Sequence, residues 1–362
     1  MMKKMVSKIA ALVLLSFMMI QCGGDDNNTT PVTAEDDFIR AVDMSYVPEA
    51  ESSGAVYKNN NTAQDPITTL KLAGVNYIRI RLWKNPASGH STFNEVKAFS
   101  QRVHAAGLKV WLTVHYSDTW ADPSAQAVPA EWASLGFADL KTAAVNYTGQ
   151  ILTDIKPDLI QIGNETNDGF MYPAGNLTRN EGQYLQLVNA ISAKIRQQSP
   201  SAKIMLHHAG ITGADWFFNK TANVDYDYIG LSYYPIWHGK SISALQTAMT
   251  SLGTAHNKKV LVAETAYPFT LQWNDWTNNV VGQNDQIITT YPATPAGQLN
   301  FLKAIRKAVE DSGTGIGFAY WGAELTAWKG TEATNGSTWE NQALWGFDYN
   351  TQPALEAFKK DL

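Results

Sequence analysis

The sequence predicts an α/β protein: a single-domain (β/α)8 TIM barrel, with eight parallel strands closed on themselves and helices outside. Two observations carry this. From Phe38 onward, short apolar runs alternate with longer helix-prone stretches, and there are eight such runs. Two of them, Asp158-Leu-Ile-Gln-Ile-Gly-Asn-Glu165 and Lys259-Val-Leu-Val-Ala-Glu264, stop on a glutamate. An apolar run of this length between polar flanks reads as a strand buried on both faces, which is how parallel sheets read. A carboxylate at the C-terminal mouth of such a strand is poorly placed for stability. It is well placed for chemistry, because the active site of a strand–helix barrel lies at that face.

The strands expected in order are 38–44, Val75–Leu82, Leu108–His115, Asp158–Gly163, Lys203–His208, Tyr228–Leu231, Lys259–Glu264 and Gly315–Trp321. Helical stretches fall near 66–73, 94–106, 137–156, 181–198, 241–257 and 296–312, with a last one at 353–361; the fifth interval, around Asp215–Lys220, is short and irregular. This alternation implies a parallel sheet with outer helices. An open doubly wound sheet competes, but no G-x-G-x-x-G opens a helix after the first strand. No second domain and no repeat of fixed period is visible. Long polar or aromatic segments at 45–65, 116–135, 164–180 and 265–295 all follow strand ends, so all would decorate one face of the barrel. Loops that long in a compact domain are usually functional.

Composition narrows the partners. The chain has 362 residues, 44% apolar, and a net charge of -5, which argues against nucleic acid or an anionic membrane surface. Trp 12, Tyr 15 and Phe 13 are plentiful; most serve core packing, and Trp also offers sugar rings a stacking platform. Residues 1–21 carry Lys3, Lys4 and Lys8 before an apolar stretch from Ile9 to Ile20, too short to span a bilayer, and read as an export signal. Met19-Ile20-Gln21-Cys22 resembles a bacterial lipobox, which implies cleavage before Cys22 and acylation of its thiol. Cys22 is the sole cysteine, so the mature domain has no disulfide. Residues 22–37 form a polar tether, and 38–362 the catalytic domain. Acidic residues just after a lipidated cysteine resemble a signal for the outer surface of a Gram-negative cell. The expected location is therefore the outer membrane, held by lipid and facing outward.

Asn164-Glu165 closes the fourth strand and Glu264 the seventh, roughly opposite each other across a barrel mouth. Two carboxylates about 5 Å apart permit double displacement at an anomeric carbon: one attacks, the other protonates the leaving oxygen and later activates water. Repulsion and partial burial would keep one protonated near neutral pH. Arg79, Arg81 and Trp83 share one strand face, and parity does not choose between the arginines. His207 and His208 are adjacent at the end of the fifth strand, so only one can line the cleft. A zinc site is not indicated, since no H-E-x-x-H or paired cysteine is present.

Several stretches resemble glycoside hydrolase family 53, the endo-β-1,4-galactanases of clan A. They include Asp43-Met-Ser45; Tyr77-Ile-Arg-Ile-Arg-Leu-Trp-Lys-Asn-Pro86; His115-Tyr-Ser-Asp-Thr-Trp-Ala-Asp-Pro123 with Gln126; Gln161-Ile-Gly-Asn-Glu-Thr-Asn167; Ser232-Tyr-Tyr-Pro235; Glu264-Thr-Ala-Tyr-Pro268; and Ser337-Thr-Trp-Glu-Asn-Gln-Ala-Leu344. The resemblance implies that Glu165 is the acid/base and Glu264 the nucleophile, with Asn164 on the sugar 2-hydroxyl. It implies that Arg81, or alternatively Arg79, holds Glu264 ionised, and that Tyr234, or alternatively Tyr233, hydrogen-bonds it. Asp43, His115, Asp118, Trp120, Trp237 and Trp321 complete the implied substrate-binding set, Trp321 lying under the sugar being cleaved. The substrate implied is β-1,4-galactan, as in pectic side chains, cut to galacto-oligosaccharides by a monomer. No cofactor is required. Some members carry a structural calcium in the loop after the seventh strand, where Asp275 and nearby asparagines are the oxygen donors here. The chain departs from the family's usual Trp-Glu-Pro after the eighth strand with Trp321-Gly-Ala-Glu324. Competing readings are a related hydrolase of mannan, xylan or glucan; a binding lipoprotein, which would be expected to have lost one glutamate; and a two-lobed solute-binding protein, which the eightfold alternation disfavours.

Overall fold

The computed structural model describes residues 38–362. The expected signal segment 1–21, the tether 22–37 and acylation at Cys22 lie outside the described residues. All eight expected strands form: β1 (Ile39–Asp43), β2 (Tyr77–Leu82), β3 (Lys109–Val114), β4 (Leu159–Ile162), β5 (Lys203–Ala209), β6 (Tyr228–Ser232), β7 (Lys259–Thr265) and β8 (Gly315–Tyr320). They close in the order β1-β8-β7-β6-β5-β4-β3-β2, every neighbouring pair parallel.

Period-two alternation divides each strand between two cores. Outward residues such as Val42, Ile78, Ile80, Val110, Leu112 and Ile160 pack beneath the helices. Inward residues Ile39, Ala41, Tyr77, Trp111, Leu159, Met205, Leu261, Ala263 and Ala319 plug the barrel. Followed toward the C-terminal mouth, the same inward columns turn polar: Tyr77 leads to Arg79 and Arg81, Trp111 to Thr113, Leu159 to Gln161, Met205 to His207. The apolar plug thus supplies stability, and the layer above it supplies chemistry.

The outer helices begin where the sequence offers a cap. Thr92, Ser241 and Thr294 accept the backbone N–H three residues on, opening Phe93–Ala105, Ile242–His256 and Pro295–Asp311; each such cap contributes about 1 kcal/mol. Gly74 ends helix Pro66–Ala73 at φ 102, where a Cβ would lie 2.4 Å from the Phe358 carbonyl oxygen. The expected helix at 353–361 is instead a 3-10 turn, Pro353–Phe358. Its buried residues are Ala354, Ala357 and Phe358, and Lys359 to Leu362 are exposed, with no apolar face to extend it into a longer helix.

One irregularity aims a functional side chain. Ala263 lies in the inner plug, so strict alternation would turn Glu264 outward. The ladder pairs Leu231 with Val262 and then Ser232 with Glu264, a one-residue shift, and the β8 ladder shifts in the same stretch. A β-bulge of this kind re-aims side chains near barrel rims, and it brings Glu264 into the mouth directly after Ala263.

Candidate active site

The mouth of the barrel opens into a cleft of about 900 Å³. Glu165 reaches it by a sharp exit from β4. Gly163 at φ 76 turns the chain, and a Cβ there would meet the Thr166 methyl at 2.4 Å. Glu165 itself is left-handed at φ 46, a conformation that ordinary residues hold only where surrounding structure enforces it. Gln126 enforces it in part: its amide donates to the carbonyls of Asn164 and Glu165.

A carboxylate oxygen of Glu165, one of Glu264 and a ring nitrogen of His207 all lie within 4.8 Å of one another. The two acids stand in different surroundings. Glu264 Oε1 accepts from Arg79 at 2.6 Å, and its Oε2 accepts from the Tyr234 hydroxyl at 2.9 Å. Arg79 is fully buried and also pairs with Asp43 at 2.6 Å and donates to Asn164 Oδ1 at 3.0 Å. Burial pushes the Glu264 carboxyl up, Arg79 opposes this, Asp43 adds to it and the Tyr234 hydroxyl opposes it again, leaving a net rise above the usual carboxylate range. Glu165 has no such cation in contact. Burial and then the charge of Glu264 push its carboxyl up to about 8. Of the pair, Glu165 keeps its proton near neutral pH.

A relay fixes how Glu165 is hydrogen-bonded. His207 Nδ1 accepts the backbone N–H of Glu165 at 3.2 Å and faces the Gln161 amide at 2.9 Å. Burial and then Arg79 hold this imidazole well below its usual range, so it is neutral. With Nδ1 accepting, the proton is on Nε2, which donates to Ser232 Oγ at 2.9 Å. The Ser232 hydroxyl must then donate onward, to Glu165 Oε1 at 2.6 Å. Both ring nitrogens of His207 and both oxygens of Glu264 are therefore occupied by protein hydrogen bonds. The three groups read as a hydrogen-bonded acid pair and its prop, not as a vacant metal site.

These features match an established family. The profile of glycosyl hydrolase family 53 fits residues 39–358. The chain belongs to glycosyl hydrolase family 53. An arabinogalactan endo-beta-1,4-galactanase of Cellvibrio japonicus is 34% identical, over 99% of this chain and 98% of that protein. An endo-beta-1,4-galactanase of Bacillus subtilis is 32% identical, over 89% and 86%. Among solved structures, the family 53 catalytic domain of Ignisphaera aggregans superposes with a TM-score of 0.85 at 34% identity, over 91% of this chain and 97% of that one.

The structure decides several alternatives that the sequence left open in this family 53 chain. The arginine at Glu264 is Arg79; the expectation of Arg81 is corrected. Arg81 instead donates to Ser91 Oγ and lies against the rings of Tyr46, Trp83 and Trp120, at 4.6, 4.1 and 4.2 Å. Its reach is absorbed by that aromatic stack, a cation–π arrangement that braces the cleft wall. Tyr234, not Tyr233, meets Glu264. His207 faces inward, whereas His208 turns out toward Phe217 and Phe218.

Asp43, Arg81, His115, Trp120, Asn164, Tyr234, Trp237 and Trp321 all border the cleft. Asp43 is spent on Arg79 and on the Ser45 hydroxyl. Asn164 Oδ1 takes Arg79 while its Nδ2 donates to the Ala121 carbonyl, which leaves one amide hydrogen uncommitted. His115 Nδ1 accepts from Ala121 N–H and Trp83 Nε1, so its proton is on Nε2. Asp118 is a correction: it does not border the cleft, and its two oxygens accept the backbone N–H of Asn85 and Ala130. It is a loop anchor, because those flanking amides lack any other acceptor.

Asp275, the calcium candidate, sits in a turn bonded through its backbone. It is buried, and its oxygens accept the N–H groups of Thr277 and Ser337. Glu340 Oε1 takes those of Asn274 and Asp275. Each Asp275 oxygen accepts one N–H and keeps a further lone pair, and Glu340 Oε2 and Asn279 Oδ1 are buried without a hydrogen-bond partner among the described residues; a calcium ion requires six or more such oxygens.

Sequence reasoning missed Ser232, Gln161 and Trp339. Ser232 was in a quoted motif, and the inward parity of β6 through Gly230 could have found it. Trp339 borders the cleft and packs on Trp321, Tyr234 and Trp237. It arrives by a long connection that no periodicity reports.

Proposed function

We propose that this chain is a retaining endo-β-1,4-galactanase, cutting β-1,4-galactan and type I arabinogalactan to galacto-oligosaccharides. The observation that carries the reading is the pair of glutamates whose oxygens lie within 4.8 Å, with opposite electrostatic surroundings. That separation suits attack by one carboxylate and is too short for an intervening water. Glu264, held ionised by Arg79 and Tyr234, attacks the anomeric carbon. Glu165 gives its proton to the leaving oxygen. The glycosyl ester on Glu264 is then hydrolysed by water that Glu165, now ionised, deprotonates. The uncommitted amide hydrogen of Asn164 is available to the sugar 2-hydroxyl. Trp321 and Trp120 provide the stacking surface, with His115 Nε2–H and Trp237 beside them. The chemistry is complete in carboxylates and water, and calls on no metal or cofactor.

The cleft is complete within one chain, which supports action as a monomer. Export, with acylation at Cys22 and display on the outer face of the outer membrane, is the reading that the N-terminal sequence supports; among the described residues no helix is long and apolar enough to cross a membrane.

The test is hydrolysis of linear β-1,4-galactan, with mannan, xylan and carboxymethylcellulose in parallel and Glu264→Ala as the control. Galacto-oligosaccharides from galactan alone, lost in the variant, establish substrate and nucleophile. Products only from another glycan would keep the mechanism and discard the substrate.

A further inference from the structure

Two tryptophans outside the cleft have no role in the chemistry above. Trp273 is 52% exposed and Trp276 is 63% exposed. Neither borders the cleft, and neither ring packs on another aromatic ring among the described residues. They belong to the long connection after β7, in the run Gln272-Trp-Asn-Asp-Trp276.

The backbone that carries them is held firmly. Asp275, between the two rings, is only 2% exposed. Its oxygens take the N–H groups of Thr277 and Ser337, at 2.6 and 3.0 Å. Glu340 is fully buried and takes the N–H groups of Asn274 and Asp275. Trp276 N–H donates to the Ala333 carbonyl at 3.0 Å. Two buried carboxylates are thus committed to one turn whose large apolar side chains point to water. Large rings on a fixed backbone lose little freedom when a ligand arrives.

The turn also forms the back of the cleft wall. Gly336, Ser337 and Trp339 border the cleft, and the same segment is bonded to the tryptophan turn through Ser337 N–H and through Gly336 N–H, which donates to Thr277 Oγ1 at 2.7 Å. The spacing is so close that a Cβ on Gly336 would lie 2.1 Å from Asp275 Oδ2. The tryptophan turn is thus bonded directly to a segment that lines the cleft.

We propose that Trp273 and Trp276 form a second carbohydrate-binding platform, outside the cleft, that holds a distant stretch of the same galactan chain. This rests on the galactanase reading above. A pyranose ring presents C–H groups on one face, which suits an indole ring whose apolar surface is otherwise left in water. Tethering a long substrate at a second point raises its effective concentration at the cleft without touching the chemistry.

The experiment uses the intact chain and its Trp273→Ala/Trp276→Ala double variant. Binding to polymeric galactan is measured with Glu264→Gln added to both, and hydrolysis is measured without it on the polymer and on galactotetraose. The expected result is polymer binding weakened about tenfold, the equivalent of one lost anchoring contact. KM on the polymer rises to match, while kcat/KM on galactotetraose is unchanged. A Trp273→Tyr/Trp276→Tyr variant, which keeps aromatic faces, recovers most of the binding. Polymer binding within twofold of the parent overturns the platform. So does an equal loss on galactotetraose, which would make the turn part of the cleft. Loss of binding to phosphatidylethanolamine–phosphatidylglycerol vesicles with galactan binding intact would make it a membrane contact and overturns it as well. A parent chain inert on both galactan substrates would instead sink the galactanase reading itself.

Discussion

Replacing Ser232 by alanine should move the alkaline limb of the activity profile upward. The relay makes the sign unambiguous. His207 Nε2–H occupies the serine oxygen, so the serine proton is directed at Glu165 Oε1, 2.6 Å away. That bond is stronger to the carboxylate than to the carboxylic acid: about 1.5–3 kcal/mol for a charged partner against about 0.5–1.5 kcal/mol for a neutral one. The difference, about 1–1.5 kcal/mol, is close to one pKa unit. Burial, the larger cause of the raised value, is untouched by the change. In the parent, Glu165 loses its proton at about 8, and kcat/KM should fall above that pH because the leaving oxygen no longer receives a proton. In Ser232→Ala the fall should begin about one unit higher. The assay is kcat/KM for galactotetraose across the pH range, with circular dichroism at each pH to confirm folding. An unmoved alkaline limb, or one displaced downward, would refute the relay as drawn.

Four further outcomes follow from the same geometry. Arg79→Met removes the cation between Asp43 and Glu264, so urea unfolding should show a loss of about 3–5 kcal/mol; the nucleophile, losing its counter-charge, should also need a higher pH to ionise, moving the acid limb of kcat/KM upward. Asp118→Ala removes the acceptor of two exposed loop N–H groups, which water can replace, so the melting temperature should fall by the equivalent of about 0.5–1.5 kcal/mol with KM unchanged; a raised KM would return Asp118 to the substrate. Glu324 is fully buried against Tyr46 N–H, and burial and then Asp43 push its carboxyl up to about 8. A raised folded value means that its contribution is full below the unfolded carboxyl range and is lost as pH rises through about 8, so Glu324→Gln should raise the melting temperature more at pH 9 than at pH 5. Chelation should leave the melting temperature unchanged if backbone N–H groups are the whole support of Asp275; a drop restored by calcium would place an ion against Asp275, Glu340 Oε2 and Asn279 Oδ1.

The barrel was legible because its evidence is local. Eight apolar runs bounded by polar residues define eight strands whatever surrounds them, and Glu165 and Glu264 declare themselves by ending two of those runs. The choice between Arg79 and Arg81 was not legible. Both face inward, and what separates them is height in the barrel: Arg79 lies level with Glu264, whereas Arg81 is drawn off by three aromatic rings supplied by three different segments. Asp118 misled for a related reason. An aspartate in an aromatic loop suits a sugar hydroxyl and a backbone amide equally well in sequence, and only the path of residues 85 and 130 shows that amides fill both its oxygens. The 3-10 turn at the C-terminus was misjudged because its buried residues Ala354, Ala357 and Phe358, three and four apart, satisfy either helical period.

The bulge in β7 has a consequence for where this barrel can tolerate change. It needs two adjacent inward side chains, and the first, Ala263, lies close against Gly230, whose ladder partner is Leu261. A methyl group added at Gly230 would lie 3.2 Å from the Ala263 Cβ and 2.7 Å from the Met205 sulfur. Gly230 is a full layer beneath the cleft and borders none of it. Yet crowding there would press on the kink that aims Glu264, and a small shift at that depth becomes a misdirected carboxylate at the rim. A tight tolerance that bears on the chemistry therefore belongs to a hydrogen atom in the plug, and a screen confined to the cleft lining would pass over it.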